Sequence, residues 1–363
     1  MKKGISIHLG LNSIDPKHYG TDGQLKGCEN DANSMEKIAA TAGFKTIKLL
    51  TQKATSARLL SELMQASRDL SAGDTLLLTY AGHGSQIKDI TGEEPDSYDE
   101  TWCLYDRMLI DDELYKAWSN FKQGVRILVI SDSCHSGTVT RLVLENELYK
   151  TAYNNNVIYR CFDPEKAQEI CNKYEYIYSG LKFGVPREME TNIKASVLLI
   201  SGCQDNQLSG DGASNGIFTG NLLKAWNNGG FMGTYKSFHS QILTLMPPFQ
   251  TPNYFYVGAA NSVFESERPF TIEHASRTHM DKIDTNARNI SWKIDLDDQI
   301  LCQMDPTELS AYLRDVVISP MVESYHNLKL LSSQVVFPRG FDGGCSVSAD
   351  TKGNIEVHCG GKF

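Results

Sequence analysis

The sequence predicts a three-layer α/β sandwich built on a mostly parallel six-stranded sheet, followed by a smaller C-terminal α+β unit. Three observations lead there. Strand-like apolar runs alternate with helix-period segments over residues 1–258. Two of the runs, Thr75-Leu76-Leu77-Leu78-Thr79-Tyr80 and Arg126-Ile127-Leu128-Val129-Ile130-Ser131, are apolar at successive positions, as strands covered on both faces are. The alternation stops near residue 259, where a second set of folding signals begins.

The predicted strands are Ile5 to Leu9, Thr46 to Leu50, Thr75 to Tyr80, Arg126 to Ser131 and Ser196 to Ser201. A sixth falls at Tyr254 to Val257, after a helix carrying Leu222, Leu223, Ala225 and Trp226. Ala32, Met35, Ile38, Ala39 and Ala42 recur at helical spacing. Residues 139–194 break the pattern, with Asn154-Asn155-Asn156, many tyrosines and scattered basic residues, and they hold one helix signal near Pro164 to Tyr174. This linker divides a large part, 1–138, from a small part, 195–258. In 259–363, Asp305-Pro306-Thr307-Glu308 supplies an N-cap, a first-turn proline and an N3 glutamate for a helix through Leu309, Tyr312, Leu313 and Val316. Ile290, Trp292, Ile294 and Leu296 alternate as in a half-buried strand. Cys345 to Asp350 and Ile355 to Cys359 flank Thr351-Lys352-Gly353-Asn354 as a hairpin. These signals specify a fold for the unit and leave its role open; completing the packing of the first unit, closing over its site and binding a partner all fit.

A hydrophobic content of 41% suits a packed globular chain, and the net charge of −9 argues against nonspecific nucleic-acid binding. No apolar stretch approaches the ~20 residues of a membrane span, and Met1-Lys2-Lys3 leads straight into a strand, so a cytoplasmic protein without a membrane partner is expected. The nine cysteines show no paired spacing for zinc or for a disulfide framework, which fits reduced thiols. Nothing in the composition speaks to oligomeric state.

Two predicted strands end in chemically useful turns. One runs into Ala81-Gly82-His83-Gly84, the other into Asp132-Ser133-Cys134-His135-Ser136-Gly137, and the His and Cys are 134 − 83 = 51 residues apart. In a parallel sheet both turns lie at the carboxyl rim, where ligands bind. A thiol titrating near ~8.5 is a poor nucleophile until a neighbouring imidazole takes its proton. The oxyanion formed on attack needs preset N–H donors, and those of Gly84 and Cys134 are the candidates; losing one such donor costs roughly 3 to 4 kcal/mol of barrier in a well-studied protease. His135 is a rival base, but adjacent residues in extended chain point to opposite sides.

Four separated motifs resemble those of the caspase-like cysteine peptidases, most of all the metacaspases and their bacterial relatives. They are Leu25-Lys26-Gly27-Cys28-Glu29-Asn30-Asp31-Ala32, Tyr80-Ala81-Gly82-His83-Gly84-Ser85-Gln86, Asp132-Ser133-Cys134-His135-Ser136-Gly137 and Ser201-Gly202-Cys203-Gln204-Asp205-Asn206-Gln207. Gly216-Ile217-Phe218-Thr219 and Gln250-Thr251-Pro252 add weaker support, and the His-to-Cys spacing is that of caspase signatures. The resemblance covers residues 1–258 and implies a His83–Cys134 dyad. It also implies a specificity pocket of Cys28, Asp31 and Asp132, with Asp205 nearby. Carboxylates there imply protein or peptide substrates with Arg or Lys at P1, since a desolvated cation needs an anionic partner. Two residues carry competing structural readings: Asp132 as an orienter of its own turn, Asp31 as an N-cap or first-turn residue of the following helix. Ala81 replaces the Ser usual in metacaspases, which leaves the choice between Arg and Lys open.

In this family the junction of the large and small parts is often cut by the enzyme itself, so the linker's Arg141, Lys150, Arg160, Lys166, Lys173, Lys182 and Arg187 are candidate autoprocessing sites. The chemistry implied needs no cofactor. One class of metacaspases binds calcium as an activator, and Asp99, Asp111 and Asp112 stand in the matching places. A further acidic ligand of that class falls at 134 + 7 = 141, here Arg141. A helix start at Asp111 and Asp112, with carboxylates complementing the helix dipole, is the competing reading. Alternatives to a basic-specific peptidase are a related peptidase with another P1 preference and a silent scaffold of this fold that mediates interactions.

Overall fold

A computed structural model describes residues 2–88, 98–134, 158–182, 193–204, 207, 209–212, 214–272, 290–294, 342–349 and 355–362. The chain divides into two compact units, Met1–Ser276 and Arg277–Phe363.

In chain order, the first unit contains β1 (Gly4–Gly10), α1 (Pro16–Tyr19), α2 (Cys28–Thr41), β2 (Lys45–Leu50), α3 (Ser56–Asp69), β3 (Thr75–Ala81), β4 (Gly84–Lys88), β5 (Tyr98–Cys103), β6 (Met108–Ile110), α4 (Asp111–Ser119) and β7 (Arg126–Asp132). Then come β8 (Ile158–Tyr159), α5 (Pro164–Lys173), α6 (Glu175–Lys182), β9 (Ser196–Ser201), β10 (Gly210–Asp211), α7 (Ile217–Trp226), α8 (Tyr235–Leu245), β11 (Asn253–Gly258) and α9 (Ser262–Glu265). The central sheet has the order β11-β9-β7-β3-β1-β2. Every pairing in it is parallel except β11 with β9. The caspase-like sandwich expected from the sequence is therefore present.

Every residue of β1, β3 and β7 is buried, because helices cover both faces. Successive side chains alternate between two cores. Leu76, Leu78, Ile127 and Val129 pack with Leu59 and Leu63 of α3 and Leu114 and Trp118 of α4 on one side. On the other, Leu77, Leu128 and Leu198 pack with Met35 and Ile38 of α2, Phe218 and Leu222 of α7, and Phe238 of α8. The helices start where local chemistry allows: Thr55 caps α3 through Arg58 N–H, and Asp163 caps α5 with Pro164 in its first turn. A small antiparallel sheet, β4-β5-β6, follows the His83 turn.

Two expectations change. The first unit extends past residue 258 to Ser276, because Phe264, Phe270 and Ile272 belong to its second core. Arg126, at the start of β7, is buried in an ion pair with Glu267 and donates to the Ile272 carbonyl at 2.6 Å. The linker carries more structure than its one helix signal, since α5 at the expected place is joined by β8 and α6. Asp205, His135 and the predicted Asp305 helix lie outside the described residues.

The second unit contains an antiparallel three-stranded sheet of order β12 (Ile290–Ile294), β14 (Ile355–Lys362), β13 (Asp342–Ala349). Ala349 pairs with Ile355, so the two predicted strands do pair, one residue away from the Asp350–Ile355 closure that the predicted four-residue turn implies. No helix among the described residues is long and apolar enough to cross a membrane.

Candidate active site

His83 and Cys134 leave neighbouring parallel strands, β3 and β7, at the same rim, with Ala81 in register with Asp132. Tyr80 fixes the histidine turn: stacked on Trp102 at 4.4 Å, it donates its hydroxyl to the His83 carbonyl at 2.6 Å, and Cys103 N–H donates to the same oxygen at 2.8 Å. His83 Nε2 lies 2.9 Å from the Gly23 carbonyl. A carbonyl only accepts, so Nε2 carries the hydrogen and Nδ1 keeps its lone pair. Nδ1 is buried without a hydrogen-bond partner among the described residues. Burial lowers the imidazole pKa to about 4 against the pull of the Gly23 bond, so the ring is neutral at pH 7.

Cys134 is fully buried. Ser209 N–H donates to its sulfur at 2.6 Å, and the thiol points back at the Ser209 carbonyl at 3.6 Å. Burial, then the neighbouring Cys203, push its pKa well above the ordinary thiol range. At rest the pair is a thiol and a neutral imidazole, with no charge separated.

The two N–H groups expected to hold an oxyanion converge on one atom. Gly84 N–H and Cys134 N–H donate to the carbonyl oxygen of Arg160 at 3.1 and 3.2 Å. Gly84 has to be glycine here: a Cβ would fall far inside contact distance of the Cys134 carbonyl oxygen.

The Arg160 side chain fills the predicted pocket and is fully buried. Nη1 meets Asp132 Oδ2 at 2.9 Å and donates to the Asp132 carbonyl at 3.2 Å. Nη2 meets Asp31 Oδ2 at 2.5 Å and Asp211 Oδ1 at 2.9 Å, and Nε donates to the same Asp211 oxygen at 3.3 Å. Burial raises the Asp31 pKa while the guanidinium and the Asn215 amide oppose it. Asp31 lies in the first turn of α2, as its structural reading expects, and also reaches the Arg160 guanidinium; the N-cap of that helix is Gly27. Asp132 likewise accepts from Ser209 Oγ, Thr219 N–H and Thr219 Oγ1. Cys28 is buried with Leu25 and Ala81 as a small apolar wall, within electrostatic reach of Arg160.

Asp211 is the pocket residue that sequence reasoning missed. Its carboxylate also accepts from Lys26 and Gly27 N–H at 2.7 and 3.1 Å, tying β10 to the start of α2. Its one signal in the sequence is an acid between two glycines, Gly210-Asp211-Gly212. The weaker motifs acquire roles too. Gly216 passes so close to Asp132 and Arg160 that a Cβ would collide with both. Gln250 bonds the Gly202 carbonyl and Ser209 Oγ, each at 2.9 Å, bracing the loop that faces the nucleophile.

Asp99 is buried in β5, and Asp111 and Asp112 open α4, where Asp112 N–H donates to Asp111 Oδ1 at 3.1 Å. Among the described residues no group of three or more His, Cys, Asp or Glu side chains is arranged to hold a metal ion.

A family model described as the caspase domain matches residues 14–265. The chain belongs to that family. Among curated proteins, this caspase-domain chain is similar to Metacaspase-1 of Saccharomyces cerevisiae, with 29% identity over 253 residues, 61% of this chain and 57% of the relative. It is similar also to Metacaspase-1 of Schizosaccharomyces pombe, with 28% identity over 255 residues, 62% of this chain and 59% of the relative. The chain thus spans under two thirds of the length of these relatives. A crystal structure of a Geobacter sulfurreducens protein superposes with a TM-score of 0.67 at 47% identity, covering 75% of this chain and 100% of that one.

Proposed function

We propose that this protein is a cysteine endopeptidase that cuts after basic residues, arginine above all, and that it processes its own 139–194 linker. The observation that carries the reading is the pose of Arg160: cation among three carboxylates, carbonyl oxygen between two N–H groups, and N–H donating to the Ser209 carbonyl at 2.9 Å. That is how a P1 residue must sit for acyl transfer. In the reaction, Cys134 Sγ attacks the P1 carbonyl carbon as His83 Nδ1 takes the thiol proton. The Gly84 and Cys134 amides hold the oxyanion, and His83 returns the proton to the leaving amine. The Gly23 carbonyl keeps the imidazole in the tautomer this needs. A polypeptide substrate joins the edge of β10, as β8 does in antiparallel register, Tyr159 opposite Gly210. The six described cysteines are all unbridged, which supports placing the protein in a reducing compartment such as the cytosol.

A P1-varied fluorogenic peptide panel tests this, run on the wild type, Cys134→Ala and Arg160→Ala, the last to vacate the pocket. Turnover of Arg and Lys peptides by the wild type or Arg160→Ala, and none by Cys134→Ala, is expected. Cleavage of Asp or Leu peptides in preference to basic ones would overturn the pocket, and no turnover of any peptide would favour the scaffold alternative.

A further inference from the structure

We infer that the Arg160–Cys161 bond is the protein's own first substrate, and that Arg160 excludes other substrates until that bond is cut. The seven candidate sites named from the sequence are equivalent there, yet this one is placed for reaction. Its carbonyl oxygen accepts both oxyanion amides, and its guanidinium takes an acceptor at Nε, Nη1 and Nη2. The Ser209 carbonyl accepts from Arg160 N–H and faces the Cys134 thiol, which brings the sulfur alongside the Arg160 peptide. The flanking residues hold the segment in register on both sides: β8 pairs with β10, Phe162 N–H donates to the Gly84 carbonyl at 2.8 Å, and Tyr159 and Cys161 pack against Cys134 and Cys203.

Resting on the peptidase reading above, the step balances without a redox partner. Cys134 Sγ bonds to the Arg160 carbonyl carbon and its proton passes to His83. The bond to the Cys161 nitrogen breaks, and His83 protonates that amine. Water, deprotonated by His83, then releases the Arg160 carboxylate and restores the thiol. The two-residue β8 pairing that remains on the Arg160 side is too short to hold the cut end, so the pocket opens to other chains.

The product has a chemical signature. Cleavage at Arg160 creates an N-terminal cysteine, whereas cleavage after Arg141, Lys150, Lys166, Lys173, Lys182 or Arg187 exposes Leu142, Thr151, Ala167, Tyr174, Phe183 or Glu188. The experiment incubates purified full-length protein, labels it with 2-cyanobenzothiazole, which condenses with N-terminal cysteine, and maps fragments by mass spectrometry. Wild type should yield a labelled fragment starting at Cys161, with a first-order rate constant unchanged over a tenfold range of protein concentration. Cys134→Ala should give none, and trans hydrolysis of an Arg peptide should rise with the labelled fraction. Arg160→Lys, which keeps a cation in the pocket, should slow the cut at least tenfold. Wild type that stays intact, or is first cut at another residue, while Arg160→Ala hydrolyses Arg peptides, would overturn this inference and leave the peptidase reading standing. Failure of both would remove the peptidase reading itself.

Discussion

Replacing Asp211 by Asn removes one negative charge and leaves the side chain almost isosteric. Asp211 Oδ1 takes Nη2 at 2.9 Å and Nε at 3.3 Å from Arg160. A hydrogen bond to a charged group contributes roughly 1.5 to 3 kcal/mol, which corresponds to about 10- to 150-fold in kcat/KM. An arginine substrate should lose that much. A lysine carries its charge at one terminal nitrogen and has no donor equivalent to Nε, so it draws less on Asp211 and should lose less. The assay compares kcat/KM for matched Arg and Lys peptides on fully processed enzyme. The wild type is expected to favour Arg, and the Asn variant to lose much of that preference. Asp211 also braces the Lys26 and Gly27 amides, so general loosening would depress both substrates alike. Equal losses for the two, or less than about threefold for Arg, would refute the arginine-reading role.

Gly84→Ala should lower kcat by about 10²- to 10³-fold, because its Cβ displaces the Cys134 carbonyl and with it one oxyanion donor; kcat within tenfold of wild type contradicts the donor role. His83 titrates near 4 and the Cys134 thiol well above its usual range, so neither should shape the self-cleavage rate between pH 5 and 8, whereas Asp31, raised to about 7 by burial, titrates there; an acid limb near 6.5 that survives Asp31→Asn would show that the base is not this buried imidazole. The same burial affects folding. His83 and His8 are held down at about 4 and about 3, so the unfolded chain binds protons that the native one refuses. Their contribution is full above 6.5 and drains as the pH falls toward 4. In the uncut Cys134→Ala background, adding His83→Gln should shrink the stability lost between pH 7.5 and 4.5 by on the order of 2 to 3 kcal/mol, read from urea midpoints; an unchanged loss contradicts it. A chain ending at Ser276 should keep the fold of the first unit, whereas one ending at residue 258 should melt far lower, having lost Phe264, Phe270 and the Glu267 partner of Arg126; equal melting temperatures would restore the shorter boundary.

Much of this was legible in the sequence because it is local. The apolar runs through Leu77 and Leu128 dictate buried strands, and a strand end delivers whatever residue follows it to the rim, so His83, Gly84 and Cys134 could be placed before any coordinates. Asp31 and Asp132 came from motif resemblance and meet at one guanidinium. What stayed hidden depends on long-range closure. Asp211 approaches Lys26 across 185 residues of chain, and no periodicity marks a loop acid for such a role. Arg160 looked like any other linker cation, and only the cradle formed by three distant segments singles it out. Residues 262–272 gave no pattern of their own, because Phe264, Phe270 and Ile272 are buried by helices and strands formed much earlier in the chain.

The most direct measurement is a crystal structure of uncut full-length Cys134→Ala protein. The account predicts the Arg160 carbonyl oxygen within hydrogen-bond distance of both the Gly84 and residue-134 amides, and its guanidinium among Asp31, Asp132 and Asp211. A linker lying elsewhere, with the three carboxylates facing solvent, would contradict it.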